Sequence, residues 1–359
     1  MLYAMPHLAC ARAFLLWGLR DYLLLAGPGW QSRLRTALLW LGVWIMQPLT
    51  VVVGWAVIAV HLAVTGAWQI WRARYNKSAD WAEWKRYFWR AVWVALLSAP
   101  LVVYTIVSFR IDPFLRSWET QNRILSPPFT HYLLAYGLIL PLAILGIRPL
   151  LRGARWTGWL VVGWLAIFPL LAYAPYTLQR RLPEGVWVAM VILFTKWVEC
   201  GGPAGQRWGP RWAALSFLST IAFLTGGILT TASPRAPIFR PVGEVQAFEF
   251  LAGNAGPRDV VLAAYPTANP LPAWAGVRVI VGHGPESIHK VELLGRVSCF
   301  YKDCTDAERI KLLNEFGVRY VFWGPAERQL GNWDPRAAAF MKPVYQQGDF
   351  LIFKFEGAS

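Results

Sequence analysis

The charged side chains best suited to chemistry lie in the segment Tyr173–Met190. Its sequence, YAPYTLQRRLPEGVWVAM, places Arg180, Arg181 and Glu184 in a short polar hairpin between two long apolar runs. Arginine binds phosphate well, because its planar guanidinium donates two hydrogen bonds and stays charged near lipid. Glu184 is suited to orienting the arginines. Charges at the mouth of a helical hairpin lie at the level of lipid headgroups, so these residues either cap the turn and anchor it to lipid phosphates or form a functional site.

A second set of polar side chains occurs in the loop 110–128 and at the start of the next apolar run. Amide and indole groups suit the recognition of sugar hydroxyls, and this set consists of Trp118, Gln121, Asn122 and His131. Ser126-Pro127-Pro128 stiffens the end of the loop, because proline fixes φ and opposes helix continuation. The pattern predicts a sugar site or, alternatively, an interfacial aromatic belt followed by a rigid turn.

His283 and Glu286 form a third candidate group, in the C-terminal part of the chain. They follow the end of a predicted strand, with Gly282 and Gly284 on either side of the histidine. Ligand-binding groups often collect at the carboxyl ends of strands in α/β sheets. The plainer alternative is that Glu286 only favours a helix N-terminus electrostatically.

The cysteines and histidines indicate no metal centre. None of the four cysteines forms a cluster with metal-ligand spacing, so we predict no metal ligands, while a divalent metal cofactor stays open. Cys299 and Cys304 are five residues apart. They are expected to pair only if this part of the chain faces an oxidising compartment, and free thiols are the alternative.

The elements that must position these residues are long apolar runs. Hydrophobic residues make up 56% of the 359, and 22 residues are Trp, whereas soluble domains are roughly 45–50% apolar. Runs of roughly 17–25 residues can span a bilayer. They cover 3–19 (with Arg12 in its middle), 36–71 as two runs bent at Gln47–Pro48, 91–109, 129–147, 156–175, 186–199 and 212–231. The fold prediction is a polytopic α-helical membrane domain over 1–232, with about seven to eight transmembrane helices.

The basic residues orient these runs. One set of alternating loops holds 15 of them and the opposite set holds 5, and cytoplasmic loops carry the excess of Lys and Arg. The hairpin, the loop 110–128 and the chain after residue 232 are therefore predicted to face outward. With eight runs this also places Met1 outside, so we expect a further N-terminal portion with an odd number of spans. No basic groove with aromatic residues lies outside the apolar runs, which excludes a nucleic-acid partner.

After a linker at 233–241, residues 242–359 have the composition of a small α/β domain. Strands are predicted at Val260–Ala264, Val277–Val281 and Tyr320–Trp323, and a hairpin joins Val344–Gln346 to Phe350–Phe355. Helices are predicted at Glu244–Leu251, from about Glu286 to Phe300, and from the capping box Thr305–Glu308 to Phe316, where Gly317 stops the helix.

This architecture and four segments resemble the GT-C-type integral membrane glycosyltransferases, the polyprenyl-phosphate-sugar-dependent transferases and their uncharacterised bacterial relatives. The segments are Thr120–Gly137, Gln179–Gly185, Val281–Lys290 and Gly317–Arg328. The resemblance covers the C-terminal part of such enzymes. It implies an extracytoplasmic α/β tail, a cell-membrane location, membrane lipid as a partner, and a lipid-phosphate-linked sugar donor bound on the outer face by Arg180 and Arg181. The acceptor can be a glycan, a lipid or a protein.

One departure from the family concerns the catalytic base. The family's catalytic carboxylates lie in the first outward loop, and no equivalent acid pair occurs here. Asp112 and Glu119 in the loop 110–128 do not match that position, so the sequence leaves the catalytic residue unassigned. The alternative function is a non-catalytic membrane protein, for lipid-linked-sugar transport or envelope assembly, with a tail that binds glycan or protein.

Overall fold

The computed structural model describes residues 6–24, 29–75, 78–284 and 286–357. The chain forms two units, Met1–Ala222 (unit 1) and Phe223–Ser359 (unit 2). Parts of three predictions lie outside the described residues: the start of the first apolar run at 3–5, Lys77 among the loop cations, and Pro285 within the segment Val281–Lys290.

Unit 1 is built from helices, as the apolar runs predict. Its helices are α1 (Pro6–Leu24), α2 (Trp30–Met46), α3 (Pro48–Arg74), α4 (Trp81–Ile111), α5 (Pro113–Gln121), α6 (Phe129–Tyr136), α7 (Leu140–Gly153), α8 (Arg155–Ala172), α9 (Val186–Cys200), α10 (Gly202–Ser216) and α11 (Leu218–Ala232), the last of which crosses into unit 2.

Four stretches among the described residues are long and apolar enough to cross a membrane: α3, α4, α8 and the combined stretch Gly202–Ala232 formed by α10 and α11. The pair α6 and α7 qualifies as a fifth span, bent by 72°. An α-helix pairs its own backbone amide and carbonyl groups, as a segment that crosses the hydrocarbon core of a membrane must. The chain therefore has a membrane-type helical part followed by a small α/β domain.

Two breaks in the helices have local causes. The predicted bend at Gln47–Pro48 is confirmed, since Gln47 is extended between α2 and α3. The apolar run predicted over 129–147 is divided into two helices, α6 and α7, which are bent by 72° relative to each other. Pro141 lies in the first turn of α7 and has no amide hydrogen for the carbonyl of Gly137, so the helix restarts there.

Close packing holds the helices of unit 1 together. A Cβ atom added to Gly146 of α7 would lie 1.8 Å from the carbonyl oxygen of Leu193 in α9, so glycine is what permits this approach. Buried His61 of α3 joins two further helices, with Nδ1 2.7 Å from the Tyr22 hydroxyl of α1 and Nε2 2.9 Å from the carbonyl oxygen of Trp156 in α8. A fully satisfied buried histidine of this kind is a structural group.

Unit 2 contains a five-stranded mixed sheet in the order β2-β1-β3-β5-β4. The strands are β1 (Val260–Leu262), β2 (Arg278–Val279), β3 (Val318–Trp323), β4 (Met341–Gln347) and β5 (Phe350–Phe355). The strands β2, β1 and β3 are parallel, and β5 is antiparallel to both β3 and β4. The helices are α12 (Val242–Asn254), α13 (Tyr265–Ala268), α14 (Leu271–Ala275), α15 (Lys290–Tyr301), α16 (Asp306–Glu315) and α17 (Pro325–Arg328).

The signals at the two ends of α16 are confirmed, whereas the strands predicted at Val260–Ala264 and Val277–Val281 are shorter, at Val260–Leu262 and Arg278–Val279. The capping box of Thr305 and Glu308 begins α16, and Gly317 has the positive φ of a helix stop. The helix predicted from Glu286 begins only at Lys290, because His289 adopts a left-handed conformation (φ 56°). Cys299 and Cys304 form a disulfide, which resolves the alternative between a bridge and free thiols.

Candidate functional site

The polar hairpin between α8 and α9 is a fixed turn. Gly185 caps α9 with φ of 99°, a conformation that L side chains rarely adopt, and a Cβ there would lie 2.9 Å from the Trp164 ring. Leu182 is buried in a small cluster with Val53 and Leu171. The side chains on either side of Leu182 are therefore held in place relative to α3 and α8.

The structure brings the loop 110–128 and the hairpin together. The amide of Ile124 donates to the carbonyl of Thr177 (2.8 Å), and the amide of Arg180 donates to the carbonyl of Ile124 (3.3 Å). The Tyr173 hydroxyl donates to the carbonyl of Pro127 (2.7 Å). The two outward loops predicted from the sequence therefore form one continuous surface.

Glu184 is the centre of an ion cluster. One carboxylate oxygen lies 3.1 Å from the Arg12 guanidinium and the other 3.6 Å from the Arg181 guanidinium. All three side chains are about one quarter to one third exposed, so they are accessible while partly shielded from water. The cluster carries a net charge of +1, and such partly buried arginines attract an anion more strongly than fully solvated ones.

The two neighbouring arginines of the hairpin differ. The sequence assigned Glu184 as the partner of both Arg180 and Arg181, and the structure gives it only Arg181, together with Arg12. Arg180 is exposed, and its side chain forms no ion pair within the part of the chain that the structure describes. Arg12, which looked out of place inside an apolar run, is therefore the missed member of the site.

Aromatic rings form a wall beside this cluster. Tyr136 lies near Arg12 and Glu184, and the centre of its ring lies 6.0 Å from that of Trp187 and 5.7 Å from that of Phe168. Tyr132 stacks on Tyr136 at 6.3 Å. Aromatic faces next to a few charged groups are typical of small-molecule sites, because the rings bury apolar surface while the charges fix orientation.

The predicted sugar ligands at the end of the loop 110–128 and the start of α6 make local contacts. Gln121 ends α5, where its side-chain amide lies 3.5 Å from the Ser117 hydroxyl. Asn122 is the C-terminal cap of this helix, and its backbone amide donates to the Trp118 carbonyl. His131 is exposed at the start of α6, where its backbone amide donates to the Pro128 carbonyl. These contacts of Gln121, Asn122 and His131 are all local to α5 and α6.

Glu119 stands apart from the other acidic residues of the first 233. The other six are engaged in ion pairs or helix caps: Asp21 with Arg35, Glu83 with Arg86, Glu184 as above, Glu199 with Lys196, and Asp80 and Asp112 as caps. Glu119 forms no hydrogen bond or ion pair with any described residue. Partial burial, together with the nearby Glu119 carboxylate, raises the pKa of Tyr176 in the hairpin. A carboxylate without a hydrogen-bond or ion-pair partner among the described residues therefore lies near Tyr176 of the hairpin.

In unit 2, His283 and Glu286 form an exposed pair. The His283 Nδ1 and a Glu286 oxygen are in contact, and the His283 side chain is 73% exposed. The carboxyl ends of the neighbouring parallel strands are occupied by buried side chains of the protein itself. Buried Glu327 accepts hydrogen bonds from the amides of Ala264 and Gly324, each 2.9 Å long.

A buried tyrosine also occupies the carboxyl ends of these strands. The Tyr301 hydroxyl donates to the carbonyls of Leu262 (3.1 Å) in β1 and Phe322 (2.8 Å) in β3. Burial raises the pKa values of both Glu327 and Tyr301. The point between β1 and β3, where ligands of open α/β sheets often bind, is therefore occupied by the protein's own side chains.

No group of three or more His, Cys, Asp or Glu side chains suited to a metal ion occurs among the described residues. No protein-family model matches the chain, and no curated protein matches it either. The resemblance to GT-C glycosyltransferases therefore stays a prediction from the sequence.

Proposed function

We propose that the chain provides the donor site of a GT-C-type membrane glycosyltransferase that uses a lipid-phosphate-linked sugar on the outer face of the membrane. The observation that supports this most directly is the cluster of Arg12, Arg181 and Glu184, with exposed Arg180 beside it. In this proposal α1, α2 and α9 join the apolar helices described above to give seven to eight spans. The hairpin and unit 2 then face outward, as the distribution of basic loop residues predicts.

The cluster suits the chemistry of a phosphate leaving group. A hydroxyl of the acceptor attacks the anomeric carbon, the bond from that carbon to the phosphate oxygen breaks, and its electron pair stays on the phosphate. The lipid phosphate thereby gains a negative charge, which Arg181 and Arg12 stabilise more strongly than the singly charged donor. Glu184 holds both guanidinium groups next to each other, so little reorganisation is needed.

The acceptor proton requires a base, and we assign this role to Glu119. It is the carboxylate of the first 233 residues that forms no hydrogen bond or ion pair with the described residues, and it lies near the hairpin. Asp112, the other acid of this loop, is engaged as the cap of α5, where its carboxylate accepts hydrogen bonds from the amides of Phe114 and Leu115.

Binding of polyprenyl phosphate, the product shared by all such donors, tests the donor site. We expect Arg181→Gln to weaken its binding to the purified full chain in nanodiscs by about tenfold or more, because a charge-assisted hydrogen bond is lost. Arg123→Gln is the matched control, since Arg123 is an exposed arginine of the adjacent loop outside the cluster. Equal affinities of the wild type, Arg181→Gln and Arg123→Gln would contradict the proposed donor site.

A second candidate is a non-catalytic protein of lipid-linked-sugar transport or envelope assembly whose tail binds a glycan or protein. It is favoured by the use of Asp112 as a helix cap, which leaves Glu119 without an acidic partner. This candidate predicts lipid-phosphate binding without turnover of the sugar donor.

A further inference from the structure

A basic cavity lies at the end of unit 1 opposite the hairpin. It is formed by the last turns of α3 and α7 and the first turns of α8, and its volume is about 530 Å³. The helix α8 begins at this cavity with Arg155 and ends at Ala172, just before the hairpin. Its 18 residues place the cavity about 27 Å from the hairpin along the helix axis. The cavity is therefore separate from the proposed donor site.

Four arginines line this cavity, and no acidic residue does. They are Arg72 from α3, Arg148 and Arg152 from α7, and Arg155 from α8. None of the four forms an ion pair with a residue that the structure describes. The guanidinium groups of Arg72 and Arg155 lie 4.9 and 5.0 Å from the centre of the Trp68 ring. These cation–π contacts orient the two charges without neutralising them.

The placement of these arginines is electrostatically unfavourable without a ligand. Arg148 and Arg152 are four residues apart on one helix, where like charges repel. Arg155 begins α8, whose first turn contains no acidic residue, and a cation at a helix N-terminus opposes the macrodipole. The positive-inside rule explains basic residues in cytoplasmic loops. It does not require that three helix ends converge on one cavity.

The remaining walls of the cavity are apolar and aromatic. Ile147 and Leu151 lie between the arginines of α7, and Trp71 and Trp159 complete the lining. The indole nitrogen of Trp159 is shielded from solvent and has no hydrogen-bond partner among the described residues. A ligand for this site should therefore combine several negative oxygen atoms with an apolar body.

We propose that this cavity binds the headgroup of an anionic phospholipid that carries two phosphates, of the diphosphatidylglycerol class. The four guanidinium groups match two phosphodiesters, and the tryptophan and aliphatic walls match the glycerol and the first methylenes of the acyl chains. Basic pockets between transmembrane helices on the cytoplasmic side are suited to such headgroups. A soluble diphosphate has the same charged groups without the apolar body, so binding of the lipid and binding of a soluble diphosphate can be distinguished by experiment.

The test is native mass spectrometry of the full chain with added lipid. The probes are diphosphatidylglycerol, phosphatidylglycerol, phosphatidylcholine and inorganic pyrophosphate. The test variant is Arg148→Gln/Arg152→Gln. The control is Arg207→Gln/Arg211→Gln, which removes the same charge from α10, where both arginines contact Trp208. Size exclusion and thermal unfolding verify that each variant is folded, and Arg155→Gln is an independent second variant.

We expect the wild type to bind diphosphatidylglycerol in preference to the other probes. The Arg148/Arg152 variant should bind it about tenfold more weakly or worse, and Arg155→Gln should change the affinity in the same direction. The control should change it less than about twofold. Equal losses in the two double variants would overturn the site, since the effect would then be general charge. Displacement of the lipid by pyrophosphate at similar concentration would overturn the assignment to lipid.

Discussion

Single residues of the candidate site show how far local sequence carries a functional prediction. The hairpin spacing predicts that Glu184 orients an arginine, and the contact with Arg181 three residues away has this local origin. The contact with Arg12 joins residues 172 positions apart, and no local pattern encodes such a pairing. Its one sequence signal is an arginine inside an apolar run, because a charge in a span is expensive unless it has a partner.

Replacement of Glu119 tests its assigned role as the base. We expect Glu119→Gln to lower turnover of a polyprenyl-phosphate sugar by about 100-fold or more, because proton abstraction is lost. Binding of polyprenyl phosphate should stay unchanged, because Glu119 is assigned to the acceptor side. Glu199→Gln is the control, since that exposed acid pairs with Lys196 at the end of α9. Normal turnover by the Glu119 variant would remove this residue from the mechanism.

Glu327 gives a residue-scale prediction for unit 2. The glutamine in Glu327→Gln has one accepting oxygen for two backbone amides, so we expect a loss of about 1–3 kcal/mol of local stability. Hydrogen exchange of the full chain measures it, as faster exchange over residues 260–268 and 320–328. The Glu315→Gln control alters an exposed acid bonded to Arg296, and it should leave exchange at these strands unchanged.

The same glutamate predicts the pH dependence of this region. Burial raises the pKa of Glu327 above its ordinary value of 4.5, so the folded state holds the proton more tightly than the unfolded state. Its contribution to stability is therefore fully present below pH 4.5 and is lost as pH rises through the folded pKa. Exchange rates corrected for intrinsic chemistry should show this loss in the wild type, and Glu327→Gln should abolish it. A wild type whose protection increases over this range would contradict the assigned shift.

At the scale of elements, predictions succeeded where the cause is local. The break at Gln47–Pro48, the capping box at Thr305 and the β4–β5 hairpin at Gly348 depend on residues within one or two turns of chain. The packing partners of each helix depend on surfaces that meet only in three dimensions. The approach of α7 to α9 is an example, because an isolated glycine in an apolar run has no unique interpretation.

Gly146 provides the test of this helix contact. A methyl group at this position would overlap the Leu193 carbonyl, and backbone atoms cannot rotate away as a flexible side chain can. We expect Gly146→Ala to destabilise unit 1 by about 1–3 kcal/mol or more, measured as a lower thermal midpoint in detergent. Gly153→Ala is the matched control, because a Cβ atom there meets nothing within 4 Å. Equal midpoints for the two variants would show that α7 and α9 are packed less tightly than the 1.8 Å approach at Gly146 indicates.

At the scale of the whole molecule, composition distinguishes two parts of the chain. The first 233 residues hold 21 basic and 7 acidic residues, whereas the remainder holds 14 and 13. This asymmetry predicts a membrane part and a separate C-terminal domain, and the fold has helices long and apolar enough to cross a membrane followed by a small mixed sheet. The strand order β2-β1-β3-β5-β4 was beyond sequence reasoning, because it depends on which edges meet after the strands have formed.

The Cys299–Cys304 disulfide connects the fold of unit 2 to its cellular location. A disulfide persists in an oxidising compartment and is reduced in the cytosol, so an outward tail predicts that these two thiols are blocked. After acid quenching and denaturation of cells, we expect maleimide to label them only when a reductant is added first. Cys200 at the end of α9 is a free thiol and is the internal control, which should be labelled without reduction. Labelling of Cys299 and Cys304 without reductant would place the tail in a reducing compartment. The outward-facing donor site would then also have to be abandoned, because the same count of basic loop residues orients the tail and the hairpin.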